Sequence, residues 1–147
     1  MSGRVTIHDE LVPIPGAKVH ADVKGIQIND EEFEEAGPGI RVGLSLKGVT
    51  AAELEKSPWL ADPSISVSAR LTVSFQKSSF YRGEISGRDL HLQLPGALVP
   101  AKFSETAPGK VQAELPSEVP VWNGMRVAVV DLNGRPLRVA GGGTCIL

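Results

Sequence analysis

The stretch EEAGPGIRVGLSLKGV, residues 34–49, decides how this chain is read. Glu34 and Glu35 run into Ala36-Gly37-Pro38-Gly39, and apolar residues then fall on alternate positions, Ile40, Val42, Leu44 and Leu46. Gly-Pro-Gly is turn chemistry, because proline presets one φ and glycine accepts a left-handed one. Strict alternation marks a half-buried strand. The stretch is therefore a tight turn feeding a strand at fixed register, with an acidic shoulder beside it. Small β-barrels bind ligands at such rims.

The same period of two recurs along the chain. It runs through Val19, Ala21 and Val23, then in a new phase through Ile26 and Ile28. It returns in SISVSARLTVSF (64–75), DLHLQL (89–94), KVQAEL (110–115), MRVAVVDL (125–132) and RPLRVAGG (135–142). Between these runs sit Pro15-Gly16, Pro38-Gly39, Pro95-Gly96, Pro108-Gly109 and Asn133-Gly134. Asn-Gly between two apolar runs predicts a two-residue type I′ hairpin. AGGGT (140–144) predicts a close-packed final strand rather than a phosphate loop, since no helix follows it. Only TAAELEKSPWL (50–60) predicts a helix, with Thr50 and Glu53 spaced as a capping box and Pro58 as the stop. Many short strands and one short helix predict an all-β chain of small antiparallel barrels.

ADPS (61–64) predicts a boundary, where the charge balance also changes sign. Residues 1–62 hold 6 basic and 11 acidic side chains, a balance of −5; residues 63–147 hold 9 and 6, a balance of +3. Two modules follow, 1–62 and 65–147. Only the second suits a phosphate backbone.

The totals exclude several classes. The 147 residues, 41% hydrophobic, fit one ordinary domain or two small ones and are too apolar for disorder. The net charge of −2 argues against simple coating of nucleic acid. No run of about 18 apolar residues predicts a membrane helix, and MSGRVTIHDE lacks the apolar core of a signal peptide. Cys145 is alone, which excludes an intrachain disulfide and a cysteine-based metal site, and a reducing cytoplasm is the expected compartment. His8, His20 and His91 lack ligand spacing, and no GxSxG or GxxxxGK[ST] occurs. Glu31, Glu32, Glu34 and Glu35 read as a solvated shoulder, because no second oxygen cluster completes a metal shell. No catalytic residue, metal site or cofactor is expected, and the chain does not read as an enzyme.

A resemblance sharpens this reading. VKGIQINDEEFEEAGPGIRVGLSLKGVTAAELEKSPWLA (23–61) resembles the second half of domain II of translational GTPases of the elongation factor Tu/1-alpha type and their selenocysteine-specific relatives. Residues 65–147 look like domain III, with Phe80-Tyr81-Arg82-Gly83-Glu84, LHLQL and Ala101-Lys102-Phe103 in corresponding places. Together the matches cover about 125 residues. The resemblance implies two β-barrels, a partial domain II-like one and a domain III-like one, in an archaeal-type paralogue near the selenocysteine branch. It also implies sites. Glu35 stands where the family's glutamate helps to form the pocket for the terminal adenosine of aminoacyl-tRNA, and Arg41 and Val42 would line the pocket wall. Arg82, Arg88, Lys102 and Lys110 are the candidates for contacts to the tRNA backbone.

Departures matter too. No G domain is recognisable, so the chain by itself is expected neither to bind nor to hydrolyse GTP, and a G domain would act in cis or in trans. Ile40 stands where the family commonly has an acidic residue, and Ser57-Pro58-Trp59 where an arginine-glycine pair is usual. An incomplete first barrel would leave an open strand edge that invites a partner or a second copy. The expected function is non-catalytic binding of aminoacyl-tRNA or the ribosome. The alternative is a protein-interaction module that has lost RNA, which the 5% aromatic content favours, since few rings are available for base stacking.

Overall fold

The computed structural model describes residues 3–16, 18–135 and 137–147. It is almost wholly β, and it divides into two units, Met1–Ser64 and Ile65–Leu147.

Unit 1 holds β1 (Val5–Thr6), β2 (Glu10–Ile14), β3 (Ala21–Ile28), β4 (Glu31–Phe33), β5 (Glu35–Ala36), β6 (Gly43–Lys47), α1 (Ala51–Glu55) and β7 (Trp59–Ala61). One sheet runs β4-β3-β2-β7, with β6 on the other edge of β3; β1 and β5 form a separate pair. The phase change in the alternation of β3 is a bulge. Register shifts between Val23 and Gly25 opposite β6, so Val23 and Ile26 both point inward. Val23, Ile26 and Ala36 are the buried centre, with Val42, Leu44 and Leu46 partly buried against it. Gly39 has φ +81°, the left-handed third position that a Pro-Gly turn requires.

Two expectations need correction here. The strand expected from Ile40 starts at Gly43, because pairing with β3 ends at Gln27, opposite Gly43. The helix expected over 50–60 is only Ala51–Glu55. Its capping box forms as read, with Thr50 Oγ1 accepting from Glu53 N. Beyond the Pro58 stop, Trp59–Ala61 pairs with Val12–Ile14 as a strand.

Unit 2 is a closed six-stranded antiparallel barrel, built from β8 (Ser66–Lys77), β9 (Asp89–Leu94), β10 (Ala97–Ala107), β11 (Lys110–Val121), β12 (Arg126–Val130) and β13 (Val139–Ile146) in the order β10-β11-β8-β13-β12-β9. Closure removes the free edges. Leu71 and Val73 (β8), Leu90, Leu92 and Leu94 (β9), Val111 and Ala113 (β11), and Val127 and Val129 (β12) fill it. Each buried valine or leucine among them contributes about 1.5–3 kcal/mol relative to exposure. The glycines of β13 let neighbouring backbone approach: a Cβ on Gly143 would collide with the Ser74 carbonyl, and one on Gly141 with that of Gln76.

The type I′ hairpin at Asn133-Gly134 does not form. Strand pairing stops at Val130↔Val139, residues 131–135 and 137–138 lie outside any strand, and Gly134 does not have the positive φ that such a turn demands. Gly134 N instead donates to Asp131 O at 3.0 Å. The cause is Asp131, whose side chain is drawn into the barrel end.

Candidate nucleic-acid interface

In unit 1 the alternation of β5 puts Ala36 in the core and Glu35 outside. Glu35 is paired through β5 with Thr6, and its Oε2 lies 3.0 Å from Arg4 Nη1, with both side chains exposed. Arg41 is exposed and Val42 packs on the core, both in the segment before β6 rather than on a strand. These three do not line the cavity found in this unit. That cavity, of about 450 Å³, lies along β3, β4 and β6; Ile7, Ile26, Phe33 and Leu44 supply apolar walls, and Lys24, Gln27, Glu32 and Ser45 polar ones. Phe33 and Gly43, which line it, are close in sequence to Glu35 and Val42.

The barrel concentrates positive charge. Closed antiparallel order places the end of β8, the starts of β9, β11 and β13 and the ends of β10 and β12 together. Seven of the nine basic residues of 65–147 stand there or in the loops that join these strand ends: Lys77, Arg82, Arg88, Lys102, Lys110, Arg135 and Arg138. Glu84, Asp89, Glu105 and Asp131 are acidic residues of the same end, and Glu114 lies opposite Lys102 on β11. Phe80, at 81% exposure, lies in the loop after β8.

The sequence-predicted backbone contacts fall on this end in different states. Arg82 and Lys110 are exposed. Lys102 lies opposite Asp89 on the outer wall of the barrel. Arg88 is turned toward protein groups: its Nη2 lies 3.5 Å from Asp131 Oδ2, and its Nη1 donates to the Tyr81 hydroxyl at 3.3 Å. Asp131 is only 5% exposed. Its Oδ2 accepts from the Tyr81 hydroxyl at 2.7 Å and its Oδ1 from Asn133 N at 3.0 Å. The Tyr81 hydrogen bond, with help from the Asn133 amide and the Arg88 charge, holds the Asp131 carboxyl below its ordinary range despite burial. Burial and the bond to Asp131 push the Tyr81 hydroxyl above its own. Lys77 Nζ sits 5.9 Å from the centre of the Tyr81 ring.

Sequence reasoning missed Asp131, Tyr81, Lys77, Arg135 and Arg138. Arg135 and Arg138 were readable as loop cations in GRPLR. Asp131 was not, because an aspartate after VAVV reads as a strand stop. Among the described residues, no three His, Cys, Asp or Glu side chains gather as metal ligands, and no helix is long and apolar enough to cross a membrane.

The chain superposes on translation elongation factor SelB from Methanococcus maripaludis, apo form, with a TM-score of 0.77 and 23% identity over 99% of this chain and 37% of that one. The fold is that of translation-factor β domains. The bacterial selenocysteine-specific elongation factor EF-Sec gives a TM-score of 0.78 at 22% identity over 97% of this chain and 23% of that one. An uncharacterized protein of Methanocaldococcus jannaschii is 29% identical over 143 residues, 97% of this chain and 46% of its own. The chain thus spans less than half the length of that relative, and a smaller share of the solved factors. No protein-family model matches it.

Proposed function

We propose that this chain is a non-catalytic, translation-factor-like pair of β modules that contributes to binding aminoacyl-tRNA or the ribosome, working with a G domain in cis or in trans. The observation that carries the reading is the gathering of seven basic residues at one end of the second barrel, on a fold shared with selenocysteine-specific elongation factors. Phosphate oxygens favour such a surface, and binding there releases condensed counterions. Unit 1 receives the 3′ end in this reading, with Glu35 held at the rim by Arg4.

The test is a titration of labelled aminoacyl-tRNA against the wild-type chain, Glu35→Ala and Arg82→Ala/Arg135→Ala over a range of KCl concentrations. Wild-type affinity is expected to fall steeply with salt. The arginine variant is expected to flatten the log–log slope by about 0.7–0.9 for each lost phosphate contact. Unchanged affinity in Glu35→Ala removes that residue from the site.

A second reading, a protein-interaction module, draws on β6. Among the described residues this strand pairs only with β3, and its inward-facing Leu44 and Leu46, like Val42 just before it, are only partly buried. An open edge of this kind recruits a strand from a partner or a second copy. A stable dimer or hetero-complex, with tRNA affinity no better than that for heparin, would favour it.

A further inference from the structure

We infer that Asp131 is the positioning residue of the barrel's basic end: its buried carboxylate ties the loop after β8 to the loop after β12 and so fixes the arginines of both loops toward one polyanion. The inference rests on the RNA-binding reading above and adds the device that shapes the surface. A carboxylate away from water is costly unless it is fully hydrogen-bonded. Asp131 meets that demand from two loops only. Tyr81 and Arg88 come from one, and the Asn133 amide from the other. The backbone of the second loop closes around the same residue, with Asp131 N donating to Arg138 O at 2.7 Å and Gly134 N to Asp131 O. Both loops pack closely here: a Cβ on Gly83 would meet the ends of the Tyr81 and Arg88 side chains, and one on Gly134 would meet the Leu137 backbone carbonyl at 2.6 Å. Arg82 follows directly after Tyr81, and Arg135 directly after Gly134, so fixing this network fixes where both cations leave the surface. Arg88 braces Asp131 from the first loop while its side chain stays 45% exposed.

A purely electrostatic role predicts the opposite behaviour. If Asp131 merely lowers the local positive charge, removing its charge tightens binding to RNA. If it positions the arginines, removing it weakens binding.

The deciding experiment titrates labelled aminoacyl-tRNA, at several KCl concentrations, against the full chain as wild type, Tyr81→Phe and Asp131→Asn. Circular dichroism and thermal melts establish folding. Tyr81→Phe alters no charge, so its effect reports geometry. The expected result is about a fivefold loss of affinity, the factor that one net hydrogen bond is worth, with a shallower salt slope at unchanged net charge. Asp131→Asn should weaken binding as well, although it makes the chain more positive. Wild-type affinity and slope in both variants, or tighter binding by Asp131→Asn, would overturn the positioning role while leaving the RNA surface standing. A wild-type chain that shows no salt-dependent binding overturns the RNA surface itself. Should Asp131→Asn fail to fold, Tyr81→Phe decides alone.

Discussion

The Tyr81 hydroxyl donates a 2.7 Å hydrogen bond to Asp131 Oδ2 across fifty residues of sequence, within the buried end of the second barrel. Tyr81→Phe keeps the ring and removes the donor, which leaves a buried carboxylate oxygen dependent on Arg88 at 3.5 Å. An unsatisfied buried acceptor costs about 1–3 kcal/mol. Urea unfolding should show that loss as a lower midpoint with an unchanged slope.

The same carboxylate sets an acid limb. Its folded pKa lies below the unfolded value of about 3.9, chiefly because the Tyr81 hydroxyl bonds the charged form. The stabilisation is therefore complete above the unfolded value and is lost as pH falls through the folded one. Unfolding followed from pH 6 downward should show Asp131→Asn less stable than wild type near neutrality but less sensitive to acid below about pH 4. Parallel acid limbs for the two proteins would contradict this.

How much of this was legible beforehand depends on the range of the interaction. Period-2 patterning located the barrel strands, because each has one buried face and that face is written locally, as in Leu90, Leu92 and Leu94. The capping box at Thr50 was readable for the same reason. Readings failed where a distant partner won. The pairing of Trp59–Ala61 with β2 carried no local signal, and Asn133-Gly134 lies in a longer loop in which Asp131 bonds Tyr81 instead of forming a two-residue turn. Glu35 illustrates a subtler limit. Its outward position followed from alternation with Ala36, but its partner, Arg4, lies 31 residues away.

That Arg4–Glu35 pair should contribute little to stability. Both side chains are more than half exposed, and exposed ion pairs are worth about 0–1 kcal/mol, less at high salt. Arg4→Ala should leave the unfolding midpoint within error at 0.5 M KCl. A large shift there would mean that the pair braces β1 against β5.

Glycine substitutions in β13 should be sharply graded. Gly143→Ala drives a methyl into the Ser74 backbone, which neither strand can yield without breaking the β8–β13 ladder. Gly142→Ala meets only the Val127 carbonyl, at 3.3 Å, which a small shift relieves. Overpacking of the first kind costs about 1–3 kcal/mol or more, and the second should cost less. Thermal melts of the two variants side by side check the order, and equal losses would show that β13 is not held as tightly as its backbone contacts imply.

Cys145 gives the last prediction, on reactivity. It lies on β13 inside the barrel at 2% exposure, and burial pushes its thiol up to about 11. The thiolate is the reactive form, so at pH 8 only about one molecule in a thousand carries it, behind a closed wall of strands. Iodoacetamide at pH 8 should therefore leave the folded chain unlabelled over the time in which it modifies a free thiol fully. Labelling should begin only where urea opens the barrel, and its onset should track the unfolding midpoint. Earlier labelling would mean that β13 opens locally while the rest of the barrel stays closed. Tyr81→Phe should move the onset to lower urea by the same amount as it moves the midpoint, since Cys145 and the Tyr81–Asp131 bond belong to one closed barrel.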